Sequence, residues 1–278
     1  MKMLATNAHG ADLSPDTTSQ ARRVGPPILK VEHLSREFGG VLAIGDLSFT
    51  VAAGDIHSII GPNGAGKTTL FNLVTGVYKP SGGRVLFDGA DVSGMAPYRL
   101  AARGMSRTFQ NLQIFFNMTA LENVMVGRHL HLNTRLLPAL FRFPSLVRKD
   151  REAKDRAAQL MTDVGLEKYI DADAASMPYG ALKRLEIARA LASEPKLLLL
   201  DEPAAGLNAT ESREIDEVIK TVAATGVTII LVEHDMKMVM GISHRITALN
   251  QGRMLAEGTP QEVAANADVI AAYLGAAP

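Results

Sequence analysis

Residues 61–69 set Gly61, Gly64 and Gly66 ahead of Lys67, Thr68 and Thr69, with Pro62, Asn63 and Ala65 between them. The spacing is G-x-x-x-x-G-K-[ST], and its chemistry is phosphate binding. Glycines let consecutive backbone N–H groups curl around an anion, and a helix opening directly behind them adds its positive end. Lys67 then reaches β- and γ-phosphates, and the Thr68 hydroxyl supplies an oxygen to Mg²⁺. The motif needs a strand before it and a helix after it. The runs 57–60 and 70–74 supply both.

A second group of residues complements the first. Four leucines, 197–200, end in Asp201, Glu202 and Pro203, so a buried strand delivers two adjacent carboxylates at its C-terminal end. Asp201 suits Mg²⁺, directly or through water. Glu202, pointing the other way, suits a general base that polarises an attacking water.

The elements that must position these groups follow from hydrophobic spacing. Runs 28–34, 47–51, 57–60 and 84–87 read as strands bounded by turn residues. Helical spacing covers 148–164 and 180–192. Beyond residue 195, strand and helix alternate at 196–200, 211–224, 227–232 and 236–241, which implies a parallel sheet covered by helices. No internal repeat and no domain-sized linker is visible. Residues 1–27 are rich in Ser, Thr, Asp, Ala and Pro, lack an apolar core like that of a secretory signal, and read as a disordered tail.

Residues 177–181, Met-Pro-Tyr-Gly-Ala, precede the helix at 182–192 and end 20 residues before Asp201. Together with GPNGAGKTT and LLLLDEP they resemble the ATP-binding subunits of ABC transporters. The resemblance implies an α/β fold of the P-loop NTPase, ABC type: a parallel-sheet core, an antiparallel β subdomain and a helical subdomain over about 111–190. It makes 28–275 one ATP-binding domain, with ATP and Mg²⁺ as cofactors. In that family the pentapeptide is typically LSGGQ and closes over the γ-phosphate of the opposite subunit. Here Pro178, Tyr179 and Ala181 depart from it, so Tyr179 and Gly180 would carry that contact. Gln110 matches the Gln loop, which touches Mg²⁺ or the lytic water; His234 matches the switch histidine. Asn208 stands in the D-loop where Asp is common. Phe38, 23 residues before Gly61, matches the aromatic that stacks on adenine.

Residues 107–129, the Pro-Tyr-Gly variant and the terminal ADVIAAYLG narrow the resemblance to importers of branched-chain and other hydrophobic amino acids. This implies a second, paralogous ATP-binding subunit, two integral permeases, a periplasmic binding protein, and a peripheral place on the cytoplasmic face of a bacterial inner membrane. Urea, amides and aromatic acids stay open as cargo, as does a soluble ABC ATPase unconnected with transport. A kinase or GTPase is opposed by the helix behind Gly180 and by the lack of an N-K-x-D sequence.

Composition agrees. With 29 Lys+Arg against 29 Asp+Glu, the net charge is zero, which argues against nucleic-acid binding by phosphate neutralisation. No Cys is present, which removes thiolate metal sites and disulfides. No stretch nears the ~20 apolar residues of a membrane span. Residues 129–148, rich in Leu, Phe and Arg, suit either a permease-docking patch or internal packing. His129 and His131 lack a third metal ligand in the sequence nearby.

Overall fold

The computed structural model describes residues 25–129 and 144–274. The expected tail up to residue 24, and residues 130–143 of the Leu/Phe-rich segment, lie outside the described residues. The first half of the chain runs β1 (Pro27–Phe38), β2 (Val41–Ala52), β3 (Ile56–Ile60), α1 (Lys67–Val74), β4 (Gly82–Phe87), β5 (Ala90–Asp91), α2 (Pro97–Ala102) and β6 (Met105–Arg107). Helices α3 (Ala120–Gly127), α4 (Pro144–Asp163) and α5 (Tyr179–Leu191) follow. Then come β7 (Leu197–Asp201), α6 (Ala209–Ala224), β8 (Thr228–Val232), α7 (Met236–Ile242), β9 (Arg245–Asn250), β10 (Arg253–Gly258), α8 (Pro260–Ala264) and α9 (Ala267–Leu274).

Burial explains the two sheets. β3, β7 and β8 are buried at every position, as strands covered on both faces must be. They form the centre of a sheet ordered β10-β9-β3-β8-β7-β6, parallel except for the β9–β10 pair. β1 and β2 alternate between buried and exposed and pair antiparallel, in a second sheet ordered β2-β1-β4-β5. The fold is therefore the α/β arrangement of a P-loop ABC domain.

One face of the central sheet packs on α3, α4, α5 and α6 through residues such as Val124, Met161, Leu185 and Ile219. The other face packs on α1 and the antiparallel sheet, with Phe71 and Phe87 fully buried between them. The four leucines of β7 divide between these two cores, Leu198 and Leu200 into one and Leu197 and Leu199 into the other. Each such burial contributes roughly 1.5–3 kcal/mol, so a charge at any of the four would break both layers' anchor.

Two features depart from the sequence expectation. The alternation of strand and helix ends in an antiparallel hairpin, β9–β10, turned by Gln251 and Gly252 with φ 47° and 74°. Positive φ at both turn positions gives the twist a two-residue hairpin needs, but Gln-Gly is a weaker sequence signal than Asn-Gly. Helix α6 also begins at Ala209, two residues before the expected start. Asn208 caps it, its side chain accepting from Thr210 N at 2.9 Å and Glu211 N at 3.1 Å. An Asn caps a helix as well as an Asp, which gives the D-loop departure a local rationale.

His57 on β3 is buried, with Nε2 2.8 Å from Thr247 Oγ1. Burial, with the Arg245 charge adding to it, pushes its pKa down to about 3. An unfolded chain takes up this proton near pH ~6.5. The folded chain resists it until about pH 3, so this contribution to stability is complete above about pH 6.5 and is lost as pH falls below it. Lowering the pH from 7.5 to 5 should take about 2 kcal/mol more stability, measured by urea unfolding, from the wild type than from His57→Gln. Equal losses in both proteins would place the acid sensitivity elsewhere.

Candidate active site

The phosphate loop joins β3 to α1. Gly66 is the N-cap of α1 with φ 101°, and a Cβ there would lie 2.8 Å from Ile44 Cδ1 and 2.9 Å from Ala43 O. Only glycine satisfies both conditions. The first turn of α1 holds Lys67, Thr68 and Thr69 and no acid, so nothing opposes its positive end. Lys67 Nζ donates to Gly61 O at 2.6 Å and Pro62 O at 3.1 Å, which folds the side chain back along the loop. Burial draws the Lys67 pKa down, and the charges of Glu202 and Asp201 act against that shift. Residues 63–69 line a cavity of ≈ 600 Å³ together with Val41, Leu42, Ala43, Gln110, Glu202 and Gln251.

The two carboxylates behind β7 have different surroundings. Asp201 is buried, and Arg107 Nη2 donates to its Oδ2 at 2.8 Å. Burial raises the Asp201 pKa, with Arg107 opposing. Glu202 adopts φ 50°, the left-handed region, at a cost of order ~1–2 kcal/mol for a residue with a Cβ. Its N–H donates to Val232 O at 2.9 Å, and its side chain lines the cavity. There Gln110 Nε2 donates to Glu202 Oε2 at 3.0 Å, and His234 Nδ1 stands 3.8 Å from Oε1. One residue addresses each carboxylate oxygen. The fold thus brings Gln110, Glu202 and His234, far apart in sequence, to one point beside the phosphate loop.

Neighbouring Glu233 turns inward. Its carboxylate accepts from Ala204 N at 2.8 Å and His234 N at 3.1 Å, and burial raises its pKa. It fixes the start of the 204–208 loop against the residue that follows β8.

Seven expected residues do not line this cavity: Gly61, Pro62, Asp201 and His234, which adjoin or contact residues that do, and Phe38, Tyr179 and Gly180, which stand apart from it. Phe38 ends β1 and does not line it; its ring meets Tyr78 edge-on at 5.2 Å, with Arg36 4.4 Å from its centre. Tyr179 and Gly180 open α5 and also lie outside the lining. Tyr179 Oη donates to Ala205 O at 3.4 Å, while a Cβ at Gly180 would lie 2.7 Å from Glu211 Oε1. Glu211 is a flexible side chain, so this close approach does not by itself require glycine at 180. Sequence reasoning missed Arg107, Lys183 and Gln251. A charged residue in the short strand β6, directly before the Gln loop, was the available signal for Arg107.

The oxygen donors fit a magnesium ion. Thr68 offers a hydroxyl, Asp201 a carboxylate and Gln110 its amide oxygen, a hard set. Among the described residues no cluster of three His, Asp or Glu could hold a metal alone. Phosphate and water oxygens would complete the shell, as is usual for Mg²⁺.

A family model described as ABC transporter matches residues 44–205, and one described as branched-chain amino acid ATP-binding cassette transporter matches residues 253–278. The chain belongs to the ABC transporter ATP-binding cassettes. It is accordingly an ATPase. Over 252 residues it is 46% identical to the high-affinity branched-chain amino acid transport ATP-binding protein BraF of Pseudomonas aeruginosa, covering 90% of this chain and 99% of BraF. The same figures hold for LivG of Escherichia coli K12, which carries the same description. Among solved structures, a nucleotide-free ATP-binding cassette from an ABC transporter is 32% identical, with a TM-score of 0.78 over 90% of this chain and 100% of that one. The ADP conformation of such a cassette gives 32% and 0.79, over 90% and 99%.

Two substitutions dissect this ABC site. If Lys67 makes the charge-assisted phosphate contact expected of it, ~1.5–3 kcal/mol, Lys67→Ala should weaken MgATP at least about tenfold in titration calorimetry. Glu202→Gln should keep ATP affinity and lose about 10²-fold or more in turnover. Near-normal turnover in Glu202→Gln would move the base role to His234.

Proposed function

We propose that this chain is the energy-coupling subunit of a binding-protein-dependent importer of branched-chain or other hydrophobic amino acids. The observation that carries the cargo class is the match of residues 253–278 to the branched-chain cassette model. In the structure this segment is β10, α8 and α9, and it is tied to the active site: Tyr273 on α9 meets the Gly61 backbone at the base of the phosphate loop. The relatives named for branched-chain amino acid transport support the same reading.

In this reading the loop amides of residues 61–66, Lys67 and the N-terminus of α1 hold the phosphates, and Phe38 stacks on the base. Thr68, Gln110 and Asp201 hold Mg²⁺, which supplies charge neutralisation at the phosphates when bound. Glu202 orients and deprotonates the attacking water, while Gln110 and His234 hold its two oxygens in place. Tyr179 and Gly180, outside their own chain's cavity, serve the nucleotide of a second, paralogous ATP-binding subunit. The segment 111–190 acts as the helical subdomain facing two integral permeases, which a periplasmic binding protein supplies with substrate. No helix among the described residues is long and apolar enough to cross a membrane. Those permeases are what hold the subunit at the cytoplasmic face of the inner membrane.

Reconstitution tests the proposal. Proteoliposomes holding this subunit, its sister ATPase, the two permeases and the binding protein should take up radiolabelled leucine only with ATP on the subunit's side. Glu202→Gln should assemble normally and abolish uptake. Transport of urea or an aromatic acid without leucine would reject the cargo class, and full activity without permeases would reject the coupling role.

A further inference from the structure

Arg107 has no part in the roles assigned so far. Its guanidinium is nearly enclosed, with a side-chain exposure of 9%, and it makes three polar contacts to two elements. Nη2 reaches Asp201 Oδ2 at 2.8 Å on β7. Nη1 reaches Asn72 Oδ1 at 2.7 Å and Thr75 Oγ1 at 3.1 Å, at the C-terminal end of α1. The rings of Phe71 and Phe109 lie 5.5 Å and 5.2 Å from its central carbon.

The spacing on α1 matters. Thr68, Asn72 and Thr75 fall at i, i+4 and i+7, one face of a helix. Arg107 thus grips the same face of α1 that carries the Thr68 hydroxyl, one and two turns further on. With its other arm it grips Asp201. Thr68 and Asp201 are oxygen donors for Mg²⁺ from different elements, and their separation must stay constant for an octahedral ion that tolerates little distortion. A planar guanidinium with two parallel arms sets such a separation; an ammonium on a flexible stem does not.

We infer that Arg107 is a positioning residue that locks the metal carboxylate Asp201 in register with the phosphate-loop helix. The inference rests on the MgATP reading of the site and deepens it. Arg107 does not line the phosphate-loop cavity; it acts through Asp201 on one side and through Asn72 and Thr75 on the other. Removing the shorter of the two helix contacts, that of Asn72, should therefore loosen the metal site while leaving the buried ion pair intact.

The test uses the full chain and two variants, Arg107→Lys and Asn72→Ala, with circular dichroism to check folding. The readouts are the Mg²⁺ concentration at half-maximal ATP turnover and the affinity for ATP in excess EDTA. Both variants should need about tenfold more Mg²⁺, the usual effect of losing a partner that orients a metal ligand. Metal-free ATP affinity should be unchanged, because the phosphate-loop amides and Lys67 are untouched. If Arg107→Lys fails to fold, Asn72→Ala carries the test by itself. A folded Asn72→Ala with wild-type Mg²⁺ dependence would overturn the inference, as would an equal loss of metal-free ATP affinity. Mg²⁺-independent turnover in the wild type would instead overturn the MgATP reading beneath it.

Discussion

Every group that acts on a phosphate must stand at one edge of the sheet, and the parallel pairing of β6, β7, β8 and β3 enforces this. Parallel strands run the same way, so their C-terminal ends open onto a common edge. The register is explicit: Arg107 pairs with Leu199, Asp201 with Val232, and Ile59 also with Val232. Each strand then releases its active loop at the same height. The phosphate loop leaves β3, the paired carboxylates leave β7, Glu233 and His234 leave β8, and Thr108 to Gln110 leave β6. Fully buried strands at the centre make this arrangement rigid, since neither face can trade its burial for water.

The edge concentrates charge, and the structure pairs it. Arg107 answers Asp201, while Lys183 Nζ, on α5, donates to Gln110 O at 3.3 Å. Glu186 faces the backbone of Phe109 and Gln113, with its Oε1 buried and unpartnered among the described residues, and Arg189 donates to Gln113 O. Burial nonetheless holds the Glu186 pKa up. A charge left alone in such surroundings would cost several kcal/mol, which makes these partners obligatory. Their placement has a mechanical consequence. Lys183, Glu186 and Arg189 recur every three residues along α5, so the helix behind Gly180 clamps the whole Gln loop.

The glycines of the phosphate loop, Lys67 and the Asp201-Glu202 pair were legible in the sequence because their chemistry demands adjacent residues at fixed spacing. The strands expected at 57–60, 196–200 and 227–232 were legible for a related reason: short β-branched or apolar runs bounded by turn residues suit buried strands. Gln110, His234, Tyr179 and Gly180 became visible through resemblance, since a lone Gln or His carries no pattern of its own. The β9–β10 hairpin escaped because its turn is Gln-Gly and its strands are only partly apolar.

Sequence by itself led to the expectation of a phosphate cradle between one buried strand and a helix, with two acids at the end of a second buried strand. Local covalent spacing suffices for that, because consecutive backbone amides and one lysine do the binding. Tertiary structure alone decided that Glu202 sits between Gln110 and His234, and that Phe38, Tyr179 and Gly180 stand outside its cavity. It also decided that Arg107 spans α1 and β7. Those contacts join residues from 32 to 94 positions apart. Their geometry comes from strand register and from the burial of charge, neither of which is written in any local run of residues.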